Sequence, residues 1–438
     1  ATARRQAVWE RITLAKAPEN AEDTPLVAAL LVPPDERSRE QAKTVAAEFA
    51  KVDAAKREAE VQLRRALDAL GYGPFAKTMV MRDLPEPRET YIHLRGSFLD
   101  HDLETGPLRP GVPAVLPPMA ETAAKKARAD RLDLAQWLVR PDHPLVPRVT
   151  VNRVWMRYFG KGLVETENDF GTQGAYPTHP ALLDWLARDF VDSGWSMKRL
   201  HKLIVTSATY RQSSAARLEL AETDPLNKLL ARQNRLRVEA EIVRDAALSA
   251  SGLLNPKIGG PGVKPPQPDG VFAFTQTKKG WTAATGPNRY RRGLYIHFYR
   301  SAPYPLLTTF DSPDFQSVCT ARVRSNTPLQ SLALANDEAL FELAQGLAAR
   351  LLKEAPGDDA ARIDEAFRLC YSRPPTDAEW ELVAAYREGQ RLSFEGDAVG
   401  AGAVAPKDRP ADMDVATAAS WTAVARALMN TDEFITRE

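Results

Sequence analysis

Five arginines, four tyrosines and two aspartates crowd into residues 290–324: Arg291, Arg292, Arg300, Arg322 and Arg324, with Tyr290, Tyr295, Tyr299, Tyr304, Asp311 and Asp314. A guanidinium offers a planar fork that grips a sulfate or carboxylate through two parallel hydrogen bonds, and an aromatic face can lie against a sugar ring. The set therefore suits an anionic glycan. The same residue types also build buried arginine–aspartate networks that fasten a loop to neighbouring helices, and the sequence leaves both readings open.

A second polar stretch, ENDFGTQGAYPTHPALLDWLARDF at 167–190, sets Asp169, Thr172, Gln173 and His179 among Gly171 and Gly174. These groups could contact a polar ligand, with the glycines letting backbone amides approach it. Alternatively, His179 caps a helix opened by Pro180 whose far face buries Leu182, Leu183, Leu186 and Phe190. Glu239 and Glu241 have the chemistry of an acid–base pair, but two apart on a helix they face different directions. Glu241 with Arg244 or Asp245 reads better as an internal salt-linked set. Cys319 precedes Arg322 and Arg324, whose charge would favour a thiolate, although a buried inert thiol is the plainer expectation. For metal, the only dense acidic cluster is DHDLE, with Asp100, His101, Asp102 and Glu104; it lacks the glycine and spacing of a calcium loop and reads as a solvated turn, so no metal site is assigned. No G-x-S-x-G elbow or H-E-x-x-H run is present, and catalytic residues stay unknown.

The elements that must carry these residues follow from patterning. With 438 residues, Lys+Arg 58, Asp+Glu 57 and a formal charge of +1, the chain has the size of two or three packed units and no globally basic surface to argue for nucleic acid. No apolar run is long enough to span a membrane. Two cysteines and no C-x-x-C-H run mean that no haem is attached covalently to this chain. It starts without methionine, already inside a helical pattern, as a processed protein or a fragment would.

Residues 1–75 read as a helical hairpin or a long linker helix, with Ala42, Val45, Phe49, Val52, Lys56, Ala59, Leu63, Ala66 and Leu70 forming a heptad-like seam closed by Gly71. The seam fits packing within the hairpin, or a dimerising coiled coil. Residues 76–125 read as an extended connector with a small β element, TYIHLRGSFL being the best strand. Residues 126–438 then form a helical domain. Pro144, Pro180 and Ser196 mark helix starts, and LNKLLARQNRLRVEAEIVRDAALSASGLL reads as one long helix burying Leu229, Leu236, Ile242, Ala246 and Leu253. A Pro/Gly-rich insertion with some β content occupies 255–325, RGLYIHFYRS being its strand, and 393–413 reads as a Gly/Ala/Pro loop. The fold class is mainly α, a multi-helix assembly with a minor β component and long Pro/Gly-rich loops.

Several blocks in fixed order, RLDLAQWLV, VTVNRVWMRYFGKGLVETENDFGTQGAYPTHPALLDWLARDFVDSGWSMKRLHKLIVTSATYRQSS, YRRGLYIHFYRSAPYP, FDSPDFQSVCTARVRSNTPLQSLALAND and RALMNTDEFITRE, together resemble the C-terminal PSD domain of the planctomycete cytochrome-c-associated family. The chain departs from that pattern at DHPLVPR and RLRVEAE. The resemblance covers about residue 130 to the end, with residues 1–110 similar to the tail of the preceding cytochrome-associated helical domain and the joining helix. It implies a domain of unknown function with no catalytic residues to carry over. It also implies an extracytoplasmic location and a c-type cytochrome domain of the same full-length protein as partner, haem c sitting only on that separate domain. The company of polysaccharide-degrading enzymes adds a glycan ligand and a redox linkage; the ligand-binding candidates come from the two polar stretches themselves, Asp169, Gln173, His179, Arg292, Tyr295, Arg300, Asp311, Asp314, Arg322 and Arg324. The alternative is a non-catalytic helical scaffold or protein-interaction module.

Overall fold

The computed structural model describes residues 2–15, 17, 24–69, 79–84, 88–120, 129–273, 275, 280–355 and 357–437. They hold sixteen α-helices and one two-stranded antiparallel ladder, a mainly α fold. The chain divides into two compact units, Ala1–Arg82 and Asp83–Glu438.

In the first unit, α1 (Thr2–Ala15) and α2 (Pro25–Leu30) pack on the front of α3 (Arg39–Ala69). Ala29, Leu30 and Val45 make a small core joined by Trp9, Leu14 and Leu26, and the Trp9 and Phe49 rings lie 5.6 Å apart. Arg37, itself donating to the Val32 carbonyl at 2.9 Å, pairs with Glu10 at 2.9 Å and braces the α1–α2 side of the hairpin. The seam is therefore covered only at Val45 and Phe49, which are buried, whereas Ala42, Val52, Ala59, Leu63 and Ala66 are exposed. Leu70 and Gly71 lie outside the described residues.

The second unit begins with a loop rather than the anticipated strand. Residues 90–108 close through Leu108 N–H to Thr90 and Asp102 N–H to Ile92, yet the only pairing is a bridge between His93 and His101, and Arg95 at φ 53 curls Leu94–Gly96 into a 3-10 turn. A positive φ costs an arginine backbone energy and ends any strand there.

Helices then follow as patterned: α4 (Arg131–Leu138), α5 (Val146–Phe159), α6 (Pro180–Asp192) and α7 (Met197–Val205). Asp130 and Asp133 close a reciprocal capping box on α4, and Ser196 caps α7. Pro180 takes a first-turn position as expected, but for α5 that role falls to Pro147, Pro144 lying outside the helix. Val151, Trp155, Phe159, Leu183, Leu186 and Phe190 form the core of this group. Its loop is pinned by Asn152, fully buried, whose amide donates to the Val164 carbonyl at 3.0 Å and accepts the Val164 N–H at 2.9 Å.

The anticipated long helix at 226–254 is largely absent. Asp224 accepts the N–H groups of Lys228 and Leu229, and Asn227 and Leu230 sit at φ 50 and 57, which breaks helical geometry despite the leucines. Residues Leu236–Arg237 instead form β1, paired with β2 (Thr436–Arg437) from the other end of the unit, and α8 is only Ala240–Ala250. Its buried face is Val243, Arg244, Ala247 and Leu248; Leu229 and Ile242 are exposed.

Residues 255–304 are held by side chains rather than by a sheet. RGLYIHFYRS holds a 3-10 turn at Gly293–Tyr295 and one parallel bridge, Val263 to Ile296. Buried Arg291 donates to the carbonyls of Lys257, Gly259 and Pro261 at 2.9, 2.6 and 3.1 Å, and buried Arg244 to that of Arg289 at 2.8 Å.

After α9 (Pro305–Thr309) come α10 (Pro328–Asn336), α11 (Glu338–Glu354), α12 (Asp359–Tyr371) and α13 (Asp377–Glu395). Next are α14 (Ala398–Val404), α15 (Val415–Met429) and α16 (Asp432–Ile435). The 393–413 stretch is thus not a plain loop, since α13 runs into it and α14 lies inside it. Val243, Leu343, Leu347, Ile363, Trp421 and Val424 belong to the large core that these helices share with α8.

Candidate arginine-rich anion site

The residues with the strongest electrostatic convergence come from four places in the second unit. Glu239 is the N-cap of α8, in extended conformation at φ −69, ψ 156, and Glu241 stands in the first helical turn. Because the cap is not yet helical, the two carboxylates do not diverge as two helical positions would; both face Arg322. Its guanidinium grips Glu241 at 2.7 and 3.1 Å and lies 3.4 Å from Glu239. Arg324 approaches Glu239 at 3.7 Å, and Arg157 of α5 donates to the same carboxylate. The salt-linked set foreseen for Glu241 is therefore differently wired. Asp245 holds Arg292 at 2.8 Å and the Gly293 N–H at 2.6 Å, while Arg244 serves backbone carbonyls.

Around this core the ladder adds two more guanidinium groups. Arg237 is buried and pairs with Asp311, which also accepts the Ser325 N–H at 2.8 Å. Arg437, on β2, donates to the Tyr158 carbonyl. On the outer side, Asn168 donates to the Thr320 hydroxyl at 2.6 Å, Thr320 donates to Glu167 at 3.1 Å, and Arg153 reaches Asn168 at 3.4 Å. Those bonds join the 167–180 and 290–330 stretches, at Glu167 and Asn168 rather than at His179.

Among the described residues, the six guanidinium groups of Arg153, Arg157, Arg237, Arg322, Arg324 and Arg437 outnumber by two the carboxylates of Glu167, Glu239, Glu241 and Asp311, and Arg153 and Arg437 bond an amide and a carbonyl rather than a carboxylate. The titration directions agree. Burial pushes the Glu241 carboxyl up, but hydrogen bonds and charge from Arg322 outweigh it and leave the group below the ordinary carboxylate range. Asp311 behaves alike: burial raises it, and Ser325 and Arg237 bring it net below normal. Arg324 moves the other way from a well-paired arginine: burial makes its protonated form less favourable, Glu239 offsets part of this, and the charges of Arg437, Arg157 and Arg237 add smaller unfavourable contributions.

The remaining sequence candidates do other work. Asp169 accepts the Gly171 N–H at 2.8 Å within its own turn, and a side chain on Gly174 would meet the Asp169 carbonyl at 2.1 Å, so that glycine serves close packing inside the loop. Gln173 is exposed. His179 stands at the N-cap of α6 without a side-chain capping bond, its Nδ1 3.0 Å from the Thr178 hydroxyl. Tyr295 accepts the Gly259 N–H at 2.8 Å, and the Arg291 guanidinium covers one face of its ring at 3.6 Å. Asp314 caps the Gln316 and Ser317 amides, and Arg300 is an exposed turn residue. Only Arg322, Arg324 and, at the buried edge, Asp311 belong to the cluster. Cys319 is exposed rather than buried, its thiol donating to the Ala321 carbonyl at 3.2 Å. In DHDLE, Asp102 accepts the Glu104 N–H at 3.0 Å in a tight turn, and among the described residues no three His, Cys, Asp or Glu side chains converge as metal ligands would.

The sequence reading passed over Arg157 and Arg437 and set Glu239 aside. The helical spacing of Arg153 and Arg157 on α5 was available as a signal; nothing local links Arg437 to residues some two hundred positions earlier. No described helix is long and apolar enough to cross a membrane. No curated protein and no solved structure matches the chain. A family model does match, over residues 130–387, which runs from α4 into α13 and includes every member of the cluster except Arg437. The chain belongs to that family, PSD1, described as a protein of unknown function (DUF1553).

Proposed function

We propose that this chain is an anion-binding module whose ligand is a sulfated or carboxylated glycan, held at Arg157, Arg322, Arg324 and Arg437. The observation that carries the reading is Arg324: half-buried, with three other cations acting on it and, among the described residues, a single ion-pair partner, Glu239, at 3.7 Å. A sulfate or carboxylate entering there would neutralise surplus charge and accept forked hydrogen bonds. In this proposal the module is extracytoplasmic and works next to a c-type cytochrome domain, as its family resemblance implies, and any electron transfer belongs to that domain. A non-catalytic scaffold is the second reading, favoured by the salt links of Arg292 to Asp245 and Arg237 to Asp311, which spend those arginines on holding loops.

Thermal unfolding in the presence of sulfated, carboxylated and neutral oligosaccharides tests the reading, since a ligand at a hundredfold its Kd stabilises the native state by about 2.7 kcal/mol. Stabilisation confined to the charged sugars supports it. An equal response to neutral sugars, or none to any, rejects it.

A further inference from the structure

A concave site elsewhere in the second unit shares no residue with the arginine cluster. It is an open trough of about 610 Å³ along α11, where Glu338, Glu342, Gln345, Ala349 and Lys353 follow one another on one helix face. The opposite wall is the turn after α8, at Gly252 and Leu253, and the chain after α14, at Pro406–Asp408. From Glu338 to Lys353 the trough runs roughly 22 Å at the helical rise per residue.

Its two ends carry opposite charge. At one end Glu338 and Glu342 face a single cation, Arg289, giving a net −1; Arg289 holds Glu342 at 2.8 Å and Tyr290 donates to it at 2.6 Å. At the other end Arg350, Lys353 and Lys407 face Glu354 and Asp408, giving a net +1. Small residues line the space between, Gly252, Gly346, Ala349 and Ala403, with Leu253 and Phe341 beside them.

We propose that this trough binds a short extended peptide with free termini, its ammonium group at Glu338, beside the Glu342 that Arg289 and Tyr290 already hold, and its carboxylate at Lys353 and Lys407, Arg350 being engaged by Glu354 and the Ser249 and Ala250 carbonyls. Five extended residues span about 17 Å, which fits between the charged ends. Gly346 packs against Leu253 and Gly252 against Arg350, which leaves Ala349 and Ala403 as the small side chains that face the trough and favour small residues of the peptide. The carboxylate enters by displacing Asp408 from Lys353; that pair, at 2.5 Å, has side chains 43% and 86% exposed and is weak in water. A polyanion is a poor fit, because one end of the trough repels it.

The test is calorimetric titration of the full chain with penta-alanine, in free, N-acetylated and C-amidated forms. Free penta-alanine binds, and amidation weakens binding at least tenfold. In a Lys353→Glu, Lys407→Glu variant, whose substitutions are on exposed side chains and whose fold is checked by circular dichroism, free and amidated peptides bind equally weakly. An Arg324→Met variant binds the peptide as the parent does, which separates this site from the anion cluster. No binding at millimolar peptide, equal affinity for free and amidated forms, or unchanged binding by the charge-reversed variant overturns the proposal.

Discussion

Replacing Arg324 by methionine keeps an aliphatic stem in the cluster and removes one of the two surplus charges. Burial is the first thing that disfavours the charged form of Arg324; Glu239 at 3.7 Å opposes it, and the charges of Arg437, Arg157 and Arg237 come next on the unfavourable side. The side chain is 21% exposed, so solvent screens much of the repulsion, and its relief stabilises the anion-free protein by about 0.5–1 kcal/mol. Arg322→Ala acts in the opposite direction. It breaks two contacts to Glu241 and one to Glu239, whose side chains are 18% and 25% exposed, and leaves the carboxylates facing each other. Between the cost of breaking a fully buried pair and that of an exposed one, this places the loss at about 2 kcal/mol. The two variants should thus move the urea midpoint of the second unit in opposite directions at low salt. The gain from Arg324→Met should shrink at 1 M NaCl, where exposed charges are screened beyond about 3 Å. Equal destabilisation by both substitutions would show a balanced brace with no surplus cation, and the anion argument would fail with it.

Other expectations concern the frame around the site. Asn152→Leu removes both bonds to Val164 and strands a buried N–H and C=O, which should cost about 2–4 kcal/mol and lower the melting temperature, while Asn152→Asp should not restore it. The Glu379 carboxyl is drawn down to about 2, first by its hydrogen bonds from Arg373. A depressed carboxylate contributes stability that is present above its unfolded value, near 4.3, and is lost as pH falls toward 2. Urea midpoints between pH 5 and 2 should fall less steeply in Arg373→Ala than in the parent; parallel curves would refute this. With a thiol reagent read out by mass spectrometry, Cys319 should be modified in the native protein. Cys370, its thiol pushed up to about 12 by burial, should react only on unfolding.

The helices around the site were legible because their ends carry the chemistry that ends require. Ser196, Pro180 and the Asp130–Asp133 box set boundaries that the apolar spacing alone would leave loose. The 226–239 stretch misled because leucine spacing mimics a helix, whereas the deciding groups are polar and local, Asp224 on two backbone amides and Asn227 in a left-handed conformation. The same stretch decides the site. Once Glu239 is a cap in extended backbone, its carboxylate can share Arg322 with Glu241, which a helix through both would forbid. Arginine density drew attention to 290–324, but density does not say which guanidinium groups serve carbonyls, as Arg291 does, and which are left over, as Arg324 is. That distinction depends on β2 delivering Arg437 from the far end of the chain.

The most direct measurement is a calorimetric titration of a sulfated disaccharide into the parent chain and into Arg324→Met at two ionic strengths. The account predicts saturable binding to the parent that weakens with salt, and loss of that binding in the variant, which keeps its fold. Undiminished binding in Arg324→Met, or none to the parent at low salt, would contradict the claim that the surplus cations of this cluster form an anion site.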